Sequence, residues 1–140
     1  MTDKEKHYLS MFDEAKPKAN VQKYSLDRSR MKTMYGMHDK SYLYQRVRVP
    51  EDKRYSIAYG VIPPNTTNDW IYWYDEVIVT LEGNGGFKTR TRPAFDREEY
   101  FDVGPGDIFF CGKGTELQWI NDHDKEWVYM IVAMPAAAKD

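Results

Sequence analysis

From about Ser41 onward the chain breaks into eight or nine short apolar runs separated by turn residues, and that pitch limits the architectures open to it. Residues 42–49 alternate in part and stop at Pro50, while residues 54–62 end at Pro63-Pro64-Asn65. Further runs lie at 70–73, 77–82, 86–92, 99–103, 108–110, 117–120 and 127–133. Glu82-Gly83-Asn84-Gly85-Gly86, Gly104-Pro105-Gly106 and Asn121-Asp122-His123-Asp124 punctuate them. Runs this short and this regularly spaced read as strands of a sandwich or barrel, and not as βαβ units.

Residues 1–40 read differently, as an N-terminal arm. Tyr8, Leu9, Met11, Phe12 and Ala15 recur at helical spacing between Lys4 and Lys16, which predicts a short amphipathic helix ending before Pro17. Residues 20–34 are charged and poor in branched apolar side chains, so they read as either helical or irregular. The arm is expected to pack across a sheet or a neighbouring subunit, with a barrel over 41–135 and a tail over 136–140. At 140 residues the chain can bury one core. Its 20 basic residues are dispersed among 22 acidic ones for a net charge of −2, so nothing suggests nucleic acid or an anionic membrane as partner. No apolar stretch has the length of a membrane span, and Met1-Thr2-Asp3-Lys4-Glu5-Lys6 lacks the apolar core of a signal peptide. Cys111 is the single cysteine, which excludes an internal disulfide; a cytoplasmic protein is expected.

Within the β region, Tyr74-Asp75-Glu76-Val77-Ile78-Val79-Thr80-Leu81-Glu82-Gly83 carries a carboxylate into an apolar strand that ends at a glycine turn. Strand alternation puts Trp70, Tyr72, Tyr74, Glu76, Ile78 and Thr80 at one parity, and Leu117, Trp119 and Asn121 at one parity in a later segment. Lys88, Arg90 and Arg92 alternate with Phe87, Thr89 and Thr91; Phe87 inward and the basic residues outward is the expected arrangement. Asp75 reads as a turn residue or a partner to a backbone amide, and Cys111 as a buried inert thiol.

Two segments resemble the cupin family, whose small jelly-roll β-barrels hold a metal and a small ligand inside. Glu76 and Gly83 match the closing half of the first family motif, and Gly106, Gly114 and Asn121 match the second. The histidine slots do not match. Counted back from Glu76 they fall on Trp70 and Tyr72, or on Asp69 and Ile71; counted forward from Gly60 they fall on Thr66 and Asn68. The second motif has Gly112 in its proline slot and Leu117 in its histidine slot, and His7, His38 and His123 lie elsewhere. Within the family, Trp70, Tyr74-Asp75-Glu76, Leu81-Glu82-Gly83, Gly106-Asp107, Lys113-Gly114-Thr115-Glu116 and Ala133-Met134-Pro135-Ala136 resemble the ethanolamine-utilisation protein Q (EutQ) cupins, which also lack these histidines. The resemblance implies an all-β single cupin barrel and an association with ethanolamine catabolism. The acetate kinase activity attributed to that family has no glycine-rich phosphate loop to support it in this chain.

The resemblance also implies that Glu76 points into the barrel. A carboxyl group in an aromatic cup is desolvated and titrates nearer neutrality, and tyrosine hydroxyls beside it can donate to a carbonyl oxygen. The expected site therefore has Glu76, Tyr72 and Tyr74 as catalytic groups and Trp70, Thr80, Phe87, Leu117 and Trp119 as ligand contacts. Metal-independent isomerase or lyase chemistry on a small-molecule substrate is the leading expectation, with no cofactor. Two alternatives stay open: a non-catalytic binding or accessory protein of amine catabolism, and a metal-dependent dioxygenase or lyase using Tyr72 or Tyr74 with Glu76. A homodimer is expected.

Overall fold

The computed structural model describes residues 1–15, 21–35, 41–90 and 98–137. Helix α1 spans Asp3–Ala15, where the apolar spacing predicts a helix, and the Thr2 hydroxyl caps it by accepting from the Glu5 amide at 3.1 Å. Tyr8, Leu9 and Met11 are exposed in the single chain. No helix among the described residues is long and apolar enough to cross a membrane.

Ten strands follow among the described residues: β1 (Lys32–Tyr35), β2 (Ser41–Arg48), β3 (Ser56–Ile62), β4 (Thr66–Ile71), β5 (Asp75–Glu82), β6 (Gly85–Arg90), β7 (Glu98–Val103), β8 (Ile108–Cys111), β9 (Glu116–Asn121) and β10 (Trp127–Met134). They form a six-stranded sheet in the order β1-β2-β3-β10-β5-β8 and a four-stranded sheet in the order β4-β9-β6-β7. Every pairing is antiparallel. The fold is all-β with a short N-terminal helix, as the turn spacing requires.

Two elements differ from the sequence reading. Residues 20–34 contain a strand, because Lys32–Tyr35 pairs with β2 through its backbone at a sheet edge. All four of its side chains are exposed, so no hydrophobic period announces it. The run at 70–73 is the end of a longer strand whose polar start, Thr66-Thr67-Asn68-Asp69, is held by pairing with β9. The segment 91–97 and His38 lie outside the described residues.

The arm is fastened to the barrel by one buried side chain. Gln45 accepts from the Asp27 amide at 2.8 Å and donates to the Ser25 carbonyl at 3.3 Å. Arg28 adds a two-pronged pair with Glu126, each contact at 2.9 Å. At one end the barrel interior is packed with rings. Phe87 lies 4.8 Å from Trp119, 5.0 Å from Phe109 and 5.2 Å from Trp127, centroid to centroid. The Thr80 hydroxyl accepts from the Trp127 indole N–H at 2.9 Å in this core.

Asn121 closes the same end. Its amide N–H2 group faces the carbonyls of Ile62, Pro63 and Lys125 at 2.9–3.2 Å, and its oxygen accepts from the His123 amide at 3.1 Å. It joins the end of β3, the end of β9 and the turn before β10. Asn121→Ala leaves those buried groups unpaired and should cost roughly 2–3 kcal/mol. Urea denaturation checks this; a loss under about 0.5 kcal/mol, the size of an ordinary surface change, would refute it.

Candidate functional site

The remaining interior space is a cavity of about 120 Å³ between the sheets. Strand alternation builds its walls. Tyr74 and Glu76 enter it from the start of β5, Trp70 from β4, and Tyr42 and Tyr44 from β2. Trp119 of β9 faces Asn68 of β4 in register, and Tyr129 of β10 faces Gly60 of β3. A Cβ on Gly60 would sit 2.2 Å from the Tyr129 ring, so glycine is what allows that ring to lie there. Tyr72 is pinned just after β4. Its N–H donates to the Thr115 carbonyl at 2.9 Å, and its carbonyl accepts from Gly114 at 2.7 Å. Gly114 has φ of 92°, which suits glycine and shapes the turn that delivers that contact.

Glu76 is 3 % exposed, and among the described residues no ion pair meets its carboxyl group; its polar neighbour is the Tyr72 hydroxyl. Burial pushes that group up from 4.5 to about 7, and the Tyr72 hydroxyl beside it offsets only part of the effect. That hydroxyl lies near Glu76 without completing a well-formed bond, so its pull is weak. The surrounding acids respond in the same sense. Tyr42 rises to about 12, and Tyr72, Tyr74 and Tyr129 rise further, each mainly by desolvation with Glu76 adding to it. The Tyr74 hydroxyl accepts from the Trp70 indole at 3.0 Å, leaving its own proton to donate. Among the described residues Arg46 is the cation that lines the cavity, and its guanidinium carbon lies 5.9 Å from the Tyr44 ring centroid.

Of the residues named from sequence, Glu76, Tyr72, Tyr74, Trp70 and Trp119 come together around this cavity. Thr80, Phe87 and Leu117 do not, and their reading as ligand contacts is corrected. All three share the inward parity; Thr80 and Phe87 lie in the packed ring cluster at the other end, and Leu117 is buried opposite Trp70 in register without lining the cavity. Asp75 accepts from the Lys113 amide at 2.8 Å, the turn role its position suggests. Lys88 pairs with Glu98 at 3.0 Å. Cys111 is buried opposite Glu76 in register, and desolvation holds its thiol up at about 12. Tyr42, Tyr44, Asn68 and Tyr129 were missed as site residues. The signals available were the parity of Tyr42 and Tyr44 and the glycine at position 60.

No family model and no curated protein matches the sequence. Solved structures do match in shape. One is a cupin 2 conserved barrel domain protein from Salinispora arenicola CNS-205, with a TM-score of 0.62 at 15% identity over 82% of this chain and 89% of that one. The chain has the cupin fold. The EutQ protein of Clostridium difficile aligns with this cupin barrel at a TM-score of 0.59, with 18% identity over 82% and 83% of the two chains. The polyketide cyclase RemF of Streptomyces resistomycificus aligns at 0.60, with 18% identity over 81% and 80%.

The cupin fold raises the question of a metal. No histidine stands in the first motif's slots in any of the three registers, Leu117 stands in the second's, and no group of three His, Cys, Asp or Glu gathers among the described residues. Glu76 is the one carboxylate on the cavity wall, and neither imidazole nor thiolate lines it among the described residues, a donor set that does not fit a first-row metal ion.

The raised Glu76 value makes a stability prediction. An unfolded chain ionises this group near 4.5, whereas the folded chain holds its proton up to about 7. Between those values the native state binds more protons, so its stability falls as pH rises. The full loss is roughly 3 kcal/mol above pH 7. Glu76→Gln should therefore match the wild type at pH 4 and exceed it by up to that amount at pH 8. Urea denaturation at both pH values decides; parallel pH profiles would mean the carboxylate has a partner.

Proposed function

We propose that this cupin-fold protein binds a small neutral carbonyl compound in the aromatic cup and moves a proton on it, with Glu76 as the acid–base group. The observation that carries this reading is the Glu76 carboxyl, buried in the cavity wall beside the Tyr72 hydroxyl with its ionisation near neutrality. A general base works best when its pKa lies near the operating pH. An ordinary surface carboxylate is too weak a base for this work.

In the proposed reaction the C–H bond next to the substrate carbonyl breaks, its proton goes to a Glu76 oxygen, and its electron pair moves onto the carbonyl oxygen. Tyr72 or Tyr74 donates a hydrogen bond to that developing oxyanion; both phenols are too weakly acidic here to lose their protons outright. Return of the proton to another carbon gives an isomer, and departure of a β-substituent gives elimination. The reading is tested without knowing the natural substrate. Incubating the protein in D2O with a panel of small ketones and cyclic imides should exchange α-protons for deuterium, read by NMR. Glu76→Gln should lower that exchange at least a hundredfold, and Tyr72→Phe about tenfold or more. Exchange that survives Glu76→Gln, or its absence across the panel, would defeat the assignment.

We also propose a homodimer. In register, Val77 faces Phe110 and Val132, while Val79 faces Ile108 and Met130, giving the outer side of β8, β5 and β10 an apolar surface. Ile108 and Phe110 are 70% and 65% exposed, and a face of this kind is stabilised by a second copy. Sedimentation should find a dimer that Phe110→Glu converts to a folded monomer; a wild-type monomer at high micromolar concentration would contradict it.

A further inference from the structure

Asn68 is the feature that the acid–base reading does not use. It lines the cavity on β4, is 5% exposed, and both its amide nitrogen and its amide oxygen lack any hydrogen-bond partner. Buried amides almost always find partners, because each unmet donor or acceptor costs the folded state stability. Here a donor and an acceptor, side by side on one planar group, are both unmet. The Tyr72 hydroxyl in the same wall also lacks a well-formed bond. Polar groups left unmatched together around one cavity mark a place prepared for something else.

The shape of that deficit specifies what fills it. A side-chain amide offering N–H and C=O together is matched by a ligand edge that presents C=O and N–H together. A carboxylate presents acceptors only, so it would leave the Asn68 carbonyl unmet, and it would enter a cavity that already holds the Glu76 carboxyl. The size is limited as well. A cavity of about 120 Å³ is somewhat smaller than the ~150 Å³ space known to hold benzene, which suits a ring of five or six atoms. Tyr74, Trp70, Trp119 and Tyr129 supply flat walls on which such a ring can lie.

We infer that the ligand of this cavity is a small neutral cyclic amide or imide, recognised by the Asn68 amide through paired hydrogen bonds. Both polar atoms of Asn68 are closed off from solvent in this structure, so this recognition requires the amide to rotate towards the cavity on binding. This rests on the proposed function for the ligand's carbonyl chemistry, and names the class of molecule that carries the carbonyl.

Binding, measured apart from turnover, tests the inference. Isothermal titration with succinimide and 2-pyrrolidone is compared with N-methylsuccinimide, N-methyl-2-pyrrolidone and cyclopentanone, which lack the N–H. The wild type should prefer the N–H compounds at least tenfold. Asn68→Leu, which keeps the volume and removes both polar atoms, should erase the preference while still binding cyclopentanone; Asn68→Ser serves if the leucine variant does not fold. Equal affinity for N–H and N-methyl compounds would put water, not ligand, on Asn68 and overturn the inference. So would failure of every N–H compound to bind, or a preference that survives the Asn68 substitution. Preference without deuterium exchange would leave this inference standing and defeat the acid–base reading alone. Exchange on ketones without amide binding would do the reverse.

Discussion

A carboxyl group taken out of water without a cation to meet it is the constraint on which this barrel turns. Full ionisation of Glu76 inside an aromatic cup would be expensive, so the group keeps its proton to about neutral pH. The same desolvation holds the phenols of Tyr42, Tyr72, Tyr74 and Tyr129 and the thiol of Cys111 in their protonated forms. Near neutrality the site thus has one group ready to exchange a proton, surrounded by hydroxyl and thiol groups that keep theirs. A paired carboxylate would be more stable and chemically idle.

The barrel is built in two parts to permit this. One end is a dense cluster in which Phe87, Phe109, Trp119 and Trp127 meet edge to face or tilted, with Thr80 and Asn121 satisfying the polar atoms that would otherwise be stranded. The other end is left hollow. Trp119 belongs to both, packing on Phe87 at 4.8 Å and on Tyr129 at 4.8 Å, so the rigid cluster fixes one wall of the cavity. Stability sits in the cluster and chemistry in the hollow.

Much of this was legible before any coordinates. Turn residues such as Gly83 and Gly106, both at positive φ, mark real strand boundaries, and the parity of Tyr72, Tyr74, Glu76 and Ile78 gives the inward face. Parity has no access to depth along the barrel, however. Thr80 and Phe87 point inward as read, yet into the cluster and not the hollow. Asn68 surfaced only as one alternative histidine slot counted from Gly60, because it lies in a polar stretch held as a strand by its pairing with β9. The edge strand Lys32–Tyr35 likewise exists through backbone pairing alone. Contacts between distant segments decided these cases.

The most direct check on the account is the titration of Glu76 itself. Carbon-13 labelling of glutamate side-chain carboxyls, with the Glu76 signal assigned as the one missing in Glu76→Gln, follows that single group by NMR across pH 3 to 9. A midpoint near 7 is the expected result. A midpoint near 4.5, the ordinary glutamate value, would mean that water or a cation reaches the carboxylate, and the chemistry proposed for the cavity would have no basis.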